Sequence, residues 1–160
     1  MKFNEEVKKY LKNGKQIKEL LNNYSSLPKT NGIYIVTNED DEDVEFLDTT
    51  TAITEYKGRS MLYNKAKLIE KYNKGNKRVL YIGKAACDDG RLQKRIGELL
   101  DYAQGKCNNH RGGRALWQIK DWDKLMIYYF EIDCAEDKEK ELICLHKAEH
   151  LVFPVANWRE

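Results

Sequence analysis

Apolar positions along the chain follow two periods, and their alternation predicts an α+β domain. From Phe3 to Tyr24 they recur every three or four residues (Phe3, Val7, Tyr10, Leu11, Ile17, Leu20, Leu21, Tyr24). That spacing predicts a helix over 3–23, interrupted at Gly14 and closed by Ser25-Ser26-Leu27-Pro28. Gly32 to Thr37 is short, β-branched and aromatic, which predicts a strand. The acidic turn 38–43 leads to Val44-Glu45-Phe46-Leu47, which can fold back as its hairpin partner. Helical spacing returns over 60–72 (Leu62, Ala66, Ile69, Tyr72), Gly75 ends it, and 78–83 reads as the next strand. The clearest helix is 91–104, with Leu92, Ile96, Leu99, Leu100 and Ala103 in one stripe, Asp88 or Asp89 available as cap and Gly105 as stop. A short helix at 115–119, a strand at 125–132 and a helix from Ala135 to about His150 complete the pattern. Few short strands separated by helices predict a small central, mainly antiparallel β-sheet flanked by helices. Residues 1–28 are expected as an N-terminal helical extension to a domain over 29–160.

Composition narrows this little. With 160 residues, 34% charged and 41% apolar, the chain is long enough for one cored domain with a well-decorated surface. No apolar run reaches membrane-spanning length, and the N-terminus lacks an apolar signal core, so an intracellular, cytoplasmic protein is expected. The four cysteines are then expected reduced and mostly buried. Cys107 and His110 make at most half a zinc site, with no second half in sight. A net charge of +2 does not by itself imply nucleic acid.

Candidate chemistry gathers around Val79-Leu80-Tyr81-Ile82-Gly83-Lys84, a strand that delivers a tyrosine and breaks at glycine, and around a second Gly-Ile-Tyr at Gly32-Ile33-Tyr34. On the following helix Arg91, Arg95, Glu98 and Tyr102 share one face, and Arg95 sits at the rim of the apolar stripe. There it either holds an anion, half-desolvated, or snorkels to Glu98 or Asp101. His110-Arg111-Gly112-Gly113-Arg114 offers main-chain donors and two guanidinium groups, while Lys67 and Lys71 on the 60–72 helix either track phosphates or solvate its surface.

In this order, Gly32-Ile33-Tyr34, Tyr81-Ile82-Gly83-Lys84-Ala85, Leu92-Gln93-Lys94-Arg95-Ile96, Glu139 before Leu142-Ile143, and Pro154-Val155-Ala156-Asn157 resemble the motifs of the GIY-YIG nucleases over roughly residues 30–158. The resemblance implies a metal-dependent endonuclease that cleaves DNA to 5′-phosphate and 3′-hydroxyl ends. It implies Tyr34 as the base or water-orienting hydroxyl, Tyr81 on the phosphate or a metal-bound water, Arg95 on the scissile phosphate and Glu139 on Mg²⁺ (or Mn²⁺). Asn157 would orient the glutamate or the backbone around it. Lys84 and Arg95 are the cations available to tune the tyrosines. The helical wheel favours Glu141 over Glu139, so both stay open as the metal ligand. Leu99 stands where many members carry His or Tyr; His110 or Tyr102 can substitute. Four residues, Cys87-Asp88-Asp89-Gly90, precede Leu92 as an addition, which makes Arg91 a rival to Arg95. The insertion at about 38–77 resembles the restriction-enzyme branch and can carry substrate contacts. DNA-binding residues are expected at Arg111, Arg114, Lys67 and Lys71; oligomeric state is open, with a homodimer possible. Two rivals stand beside this: a nuclease using Asp48 with Glu55-Tyr56-Lys57, and a catalytically inactive nucleic-acid-binding module of the same fold. No exposed apolar stripe suggests a protein-interaction domain.

Overall fold

The computed structural model describes residues 2–86, 91–106 and 110–158. The N-terminal segment is not the continuous helix that its spacing predicts. Helix α1 (Phe3–Val7) and a 3₁₀ turn (Lys8–Tyr10) give way to strand β1 (Lys15–Gln16) and a single turn of helix, α2 (Ile17–Leu20). Asn13 takes a left-handed backbone (φ 57) and Gly14 lies against the Tyr128 ring, where a side chain would clash, so the chain turns there. The apolar residues counted as one helical stripe are buried by different elements: Phe3 and Val7 in one core cluster, Ile17 and Leu20 in the other. The segment is therefore part of the domain rather than an extension to it, because β1 is an edge strand of its sheet.

Strand β2 (Gly32–Thr37) is buried at every position. The insertion that follows contains a small hairpin, β3 (Glu55–Tyr56) with β4 (Arg59–Ser60), and helix α3 (Lys65–Lys74). After it come β5 (Val79–Ala85), α4 (Leu92–Ala103), 3₁₀ turns at Arg114–Gln118 and Trp122–Lys124, β6 (Met126–Glu131) and α5 (Ala135–His150). The main sheet is antiparallel throughout in the order β1-β6-β2-β5. Its two faces separate by the two-residue period of a strand. Ile33 and Ile35 face α1 and α5, whereas Tyr34 and Val36 join the larger core with Leu92, Ile96, Leu99 and Leu100 of α4.

Val44 to Leu47 does not pair with β2, which is already bonded on both sides by β5 and β6. Instead Phe46 makes an isolated bridge to Ile119 and its ring packs on Tyr72. Helix α3 starts five residues later than its spacing suggests. Asn64 caps it, its side chain accepting from Lys67 N at 3.1 Å, and its buried face is Leu68 and Tyr72, leaving Ile69 exposed. The cap expected at Asp88 or Asp89 lies outside the described residues. Cys134 and Cys144 are exposed rather than buried, because both fall on the outer side of the last helix and its approach. No helix among the described residues is long and apolar enough to cross a membrane.

Candidate active site

Register brings the two tyrosine motifs together. Tyr34 of β2 stands opposite Gly83 of β5, and Val36 opposite Tyr81, so the tyrosines are diagonal neighbours on one face with ring centroids 6.2 Å apart. The Tyr34 ring lies directly over Gly83, where any side chain would overlap it. The glycine of the second motif thus exists to receive the tyrosine of the first.

His110 reaches this pair from the loop after α4. Its Nε2 is 2.6 Å from the Tyr34 hydroxyl, and both groups are buried. Burial, reinforced by the Arg95 charge, lowers the imidazole pKa to about 3, so the ring is neutral. Its Nδ1 has no hydrogen-bond partner among the described residues. Burial raises the Tyr34 pKa far above that of free tyrosine; Arg95 and the Tyr81 hydroxyl act in the opposite direction. Burial and the neighbouring Tyr34 and Glu139 charges likewise hold Tyr81 well above the usual tyrosine value. Lys84 does not tune these tyrosines as expected: it pairs with Glu136 at 3.0 Å at the strand's end, and its charge acts on Glu139. Arg95, half-buried and 3.7 Å from Glu98, is the cation felt by Tyr34, Tyr81, His110 and Glu139 alike. Its rival Arg91 is the exposed residue at the N-cap of α4.

Glu139 lies on the inner side of α5 at only 9% exposure, and among the described residues it has neither a hydrogen bond nor an ion pair. Burial raises its carboxyl to about 7. Glu141 points outward and is bonded to Lys138 at 2.6 Å. No cluster of three His, Cys, Asp or Glu that could hold a metal occurs among the described residues. A metal here would rest on Glu139 and waters, and an unpaired, half-desolvated carboxylate fits a hard divalent cation of that kind.

Glu139, Tyr81, Lys84 and Asn157 line a cleft of about 490 Å³ together with Tyr63, Arg111, Gly112, Arg114 and Trp158. Tyr34 is not on its wall; it lies behind Tyr81, 1% exposed. Gly112 and Gly113 were expected to free main-chain donors for DNA. They pack on Tyr81, a Cβ on either coming within 3.3 Å of it. Leu99 fills the space on the other side of Gly113, and Tyr102 is buried with no hydrogen-bond partner for its hydroxyl among the described residues. His110, not a residue of α4, is what meets Tyr34.

The tail closes the open edge of β5. Ala156 N donates to Leu80 O at 2.9 Å, and the Asn157 amide both accepts from Ile82 N and donates to Ile82 O, each at 2.9 Å. One side chain thereby satisfies both main-chain groups beside Tyr81. Asn157→Ala should destabilise the fold by about 2–4 kcal/mol, since two buried backbone groups lose their partners. Urea unfolding measures this, and a change below about 1 kcal/mol would mean that water replaces the amide.

The cations expected on DNA divide. Lys67 is exposed on α3. Lys71 is turned inward, hydrogen-bonded to the Asn157 carbonyl and 3.5 Å over the Trp158 ring, itself stacked on Tyr63. Burial lowers the Lys71 ammonium to about 7, while the ring and carbonyl favour its charge. It fastens the tail rather than facing solvent. Arg114 donates to the carbonyls of Met61 and Arg111, both at 3.2 Å, and lies over Tyr63 at 4.5 Å. Arg111 lies 4.0 Å over Tyr56. Glu55 is exposed in the small hairpin and Asp48 is also exposed, so no buried pair of acids forms for the rival nuclease pattern. For the half zinc site, Cys107 lies outside the described residues and His110 Nε2 is engaged by Tyr34. Comparison with models of protein families, with curated proteins and with solved structures found no match to this chain.

Proposed function

We propose that this protein is a metal-dependent DNA endonuclease of the GIY-YIG type, hydrolysing phosphodiester bonds to 5′-phosphate and 3′-hydroxyl ends. The observation that carries this is the convergence on one cleft of Tyr81, an unpaired buried Glu139 and the field of Arg95, with Tyr34 and His110 bonded behind the tyrosine. Phosphodiester hydrolysis needs an oriented water, a place for its proton and positive charge against the phosphate. Arg95 is not on the cleft lining, but its charge is felt by Tyr81 and Glu139, and it would supply positive charge toward the phosphate. Tyr81, at the cleft wall, is the hydroxyl that meets water. Tyr34 and His110 provide an onward route for the proton: Tyr81 takes it as its own passes to Tyr34, and Tyr34 gives its own to the neutral Nε2. Neither phenol then has to ionise; the proton comes to an imidazole that burial and Arg95 make a weak base, so it is held there only in passing. Glu139 would hold Mg²⁺ or Mn²⁺, which when bound supplies charge relief for the leaving 3′ oxygen.

Pure protein with supercoiled plasmid should give nicked or linear DNA in Mg²⁺ or Mn²⁺ and none in chelator, with ends that ligase can rejoin. DNA binding without cleavage under any of these conditions would favour the non-catalytic binding module. Absence of both would end the nucleic-acid reading.

A further inference from the structure

The hairpin β3–β4 of the insertion is left unused by the proposed chemistry. Its turn is Lys57-Gly58, both with positive φ (51 and 76), the two-residue turn whose twist matches a hairpin. Positive φ disfavours a lysine, and glycine or asparagine is the usual occupant. Lys57 is therefore held at the tip against its backbone preference. Residues Lys57, Gly58, Arg59 and Ser60 are all exposed, and nothing lies within 4 Å of where a Gly58 side chain would be. The ribbon thus contributes almost nothing to the core.

Yet it is firmly mounted beside the cleft. Met61 N donates to Thr54 O at 2.8 Å, extending the ladder at its base, and Arg114 holds the Met61 carbonyl. Tyr56 lies under the guanidinium of Arg111, a residue of the cleft wall. Residues 56–69 carry Lys57, Arg59, Lys65 and Lys67 and no acid at all. None of those four cations makes an ion pair among the described residues. A narrow two-stranded ribbon with cations at its tip has the shape to enter a DNA major groove, about 12 Å wide, and the charge to hold its phosphates.

We propose that the β3–β4 hairpin is a docking ribbon for duplex DNA, with Lys57 and Arg59 as its contacts and Tyr56 beneath Arg111 as the joint that ties it to the cleft. The proposal rests on the nuclease reading and deepens it, since it places the duplex that the cleft would cut.

The test is binding of a mixed-sequence DNA duplex in chelator over a series of KCl concentrations, for the wild type, Lys57→Ala/Arg59→Ala and Lys57→Gly. Each lost phosphate contact should lower the slope of log affinity against log salt by about 0.9, so the double variant should lose about one to two in slope and about tenfold in affinity at low salt. Lys57→Gly should bind more weakly while its melting temperature stays level or rises, because glycine suits the positive φ. A purely structural turn would give no binding loss with that gain. Lys8→Ala, in the N-terminal 3₁₀ turn, is the control cation. If the wild type binds and cuts DNA but Lys57→Gly and the folded double variant keep its slope, the ribbon proposal fails and the nuclease reading stands. If the wild type neither binds nor cuts, the nuclease reading fails first. A variant-sensitive slope seen on duplex RNA and absent on DNA would also overturn the proposal.

Discussion

Glu139→Gln should abolish Mg²⁺-dependent cleavage, by about 10³-fold or more, while DNA affinity in chelator stays within about threefold. Gln keeps the shape and removes the charge. The expectation rests on the isolation of this carboxylate: it is buried on the inner side of α5, faces the cleft and has no hydrogen-bond or ion-pair partner among the described residues. Glu141→Gln is the internal control, because Glu141 is exposed and paired with Lys138, and its loss should leave cutting intact. If Glu139→Gln cuts normally while Glu141→Gln is dead, the ligand is Glu141. If both cut, the carboxylate chemistry is wrong.

The same substitution has a signature without any substrate. The folded carboxyl titrates at about 7 because of burial, against 4.5 for the unperturbed group. Between these values the folded chain holds a proton that the unfolded chain has released, so stability falls as pH rises through that window. The part lost by pH 8 is about 3 kcal/mol. In chelator, Glu139→Gln should therefore gain on the wild type from pH 4.5 to pH 8, as read by urea unfolding. Adding Mg²⁺ at pH 8 should raise the melting temperature of the wild type and leave that of Glu139→Gln unmoved. An equal Mg²⁺ response in both proteins would place the metal elsewhere.

How far the chain can be read from its sequence depends on whether a residue's neighbours are local. The α4 and α5 helices and strands β2, β5 and β6 are legible, since each carries its own period over six residues or more. The N-terminal segment is not: its apolar residues keep helical spacing by coincidence, while two features with no periodic signal, Asn13 at positive φ and Gly14 against Tyr128, break the helix. The hairpin at 55–60 is too short and too polar to announce itself except through Lys57-Gly58. At the site, the residue types are legible and their assignments are not. Spacing offers Tyr102 as readily as His110 for the place beside the tyrosines, and only the path of the loop after α4 brings His110 to Tyr34. Lys84 is adjacent in sequence to the tyrosine motif, yet strand alternation and Glu136 draw its charge away. Choosing between Glu139 and Glu141 from a helical wheel fails for a related reason: Glu139 is buried on the cleft wall beside Tyr81, Lys84 and Asn157, residues of other elements that no wheel contains.

The buried Tyr34–His110 contact carries the second large expectation. Tyr34→Phe and His110→Gln should each lower kcat by about 10²-fold or more, with little change in KM, since neither side chain lines the cleft. In the proposed relay the two act on one proton, so the double variant should be no slower than about threefold below the worse single variant, as for residues that work as a unit. An additive loss near 10⁴-fold would mean two separate roles. Tyr81→Phe, at the cleft wall, should lose activity at least as severely. The pH profile separates this arrangement from an exposed catalytic histidine. Burial holds His110 near 3, so the imidazole is already neutral across the ordinary working range and contributes no inflection near 6.5. In the proposed mechanism the carboxylate that must be ionised is Glu139, which burial raises to about 7. Activity as kcat/KM should rise with pH to a plateau above that value, and the inflection should move to lower pH as Mg²⁺ is increased, because metal and proton compete for one carboxylate. In Tyr34→Phe the residual activity should keep the inflection, since Glu139 is untouched. A midpoint near 6.5 that ignores Mg²⁺ concentration and vanishes in His110→Gln would instead make His110 the titrating base and the neutral relay wrong.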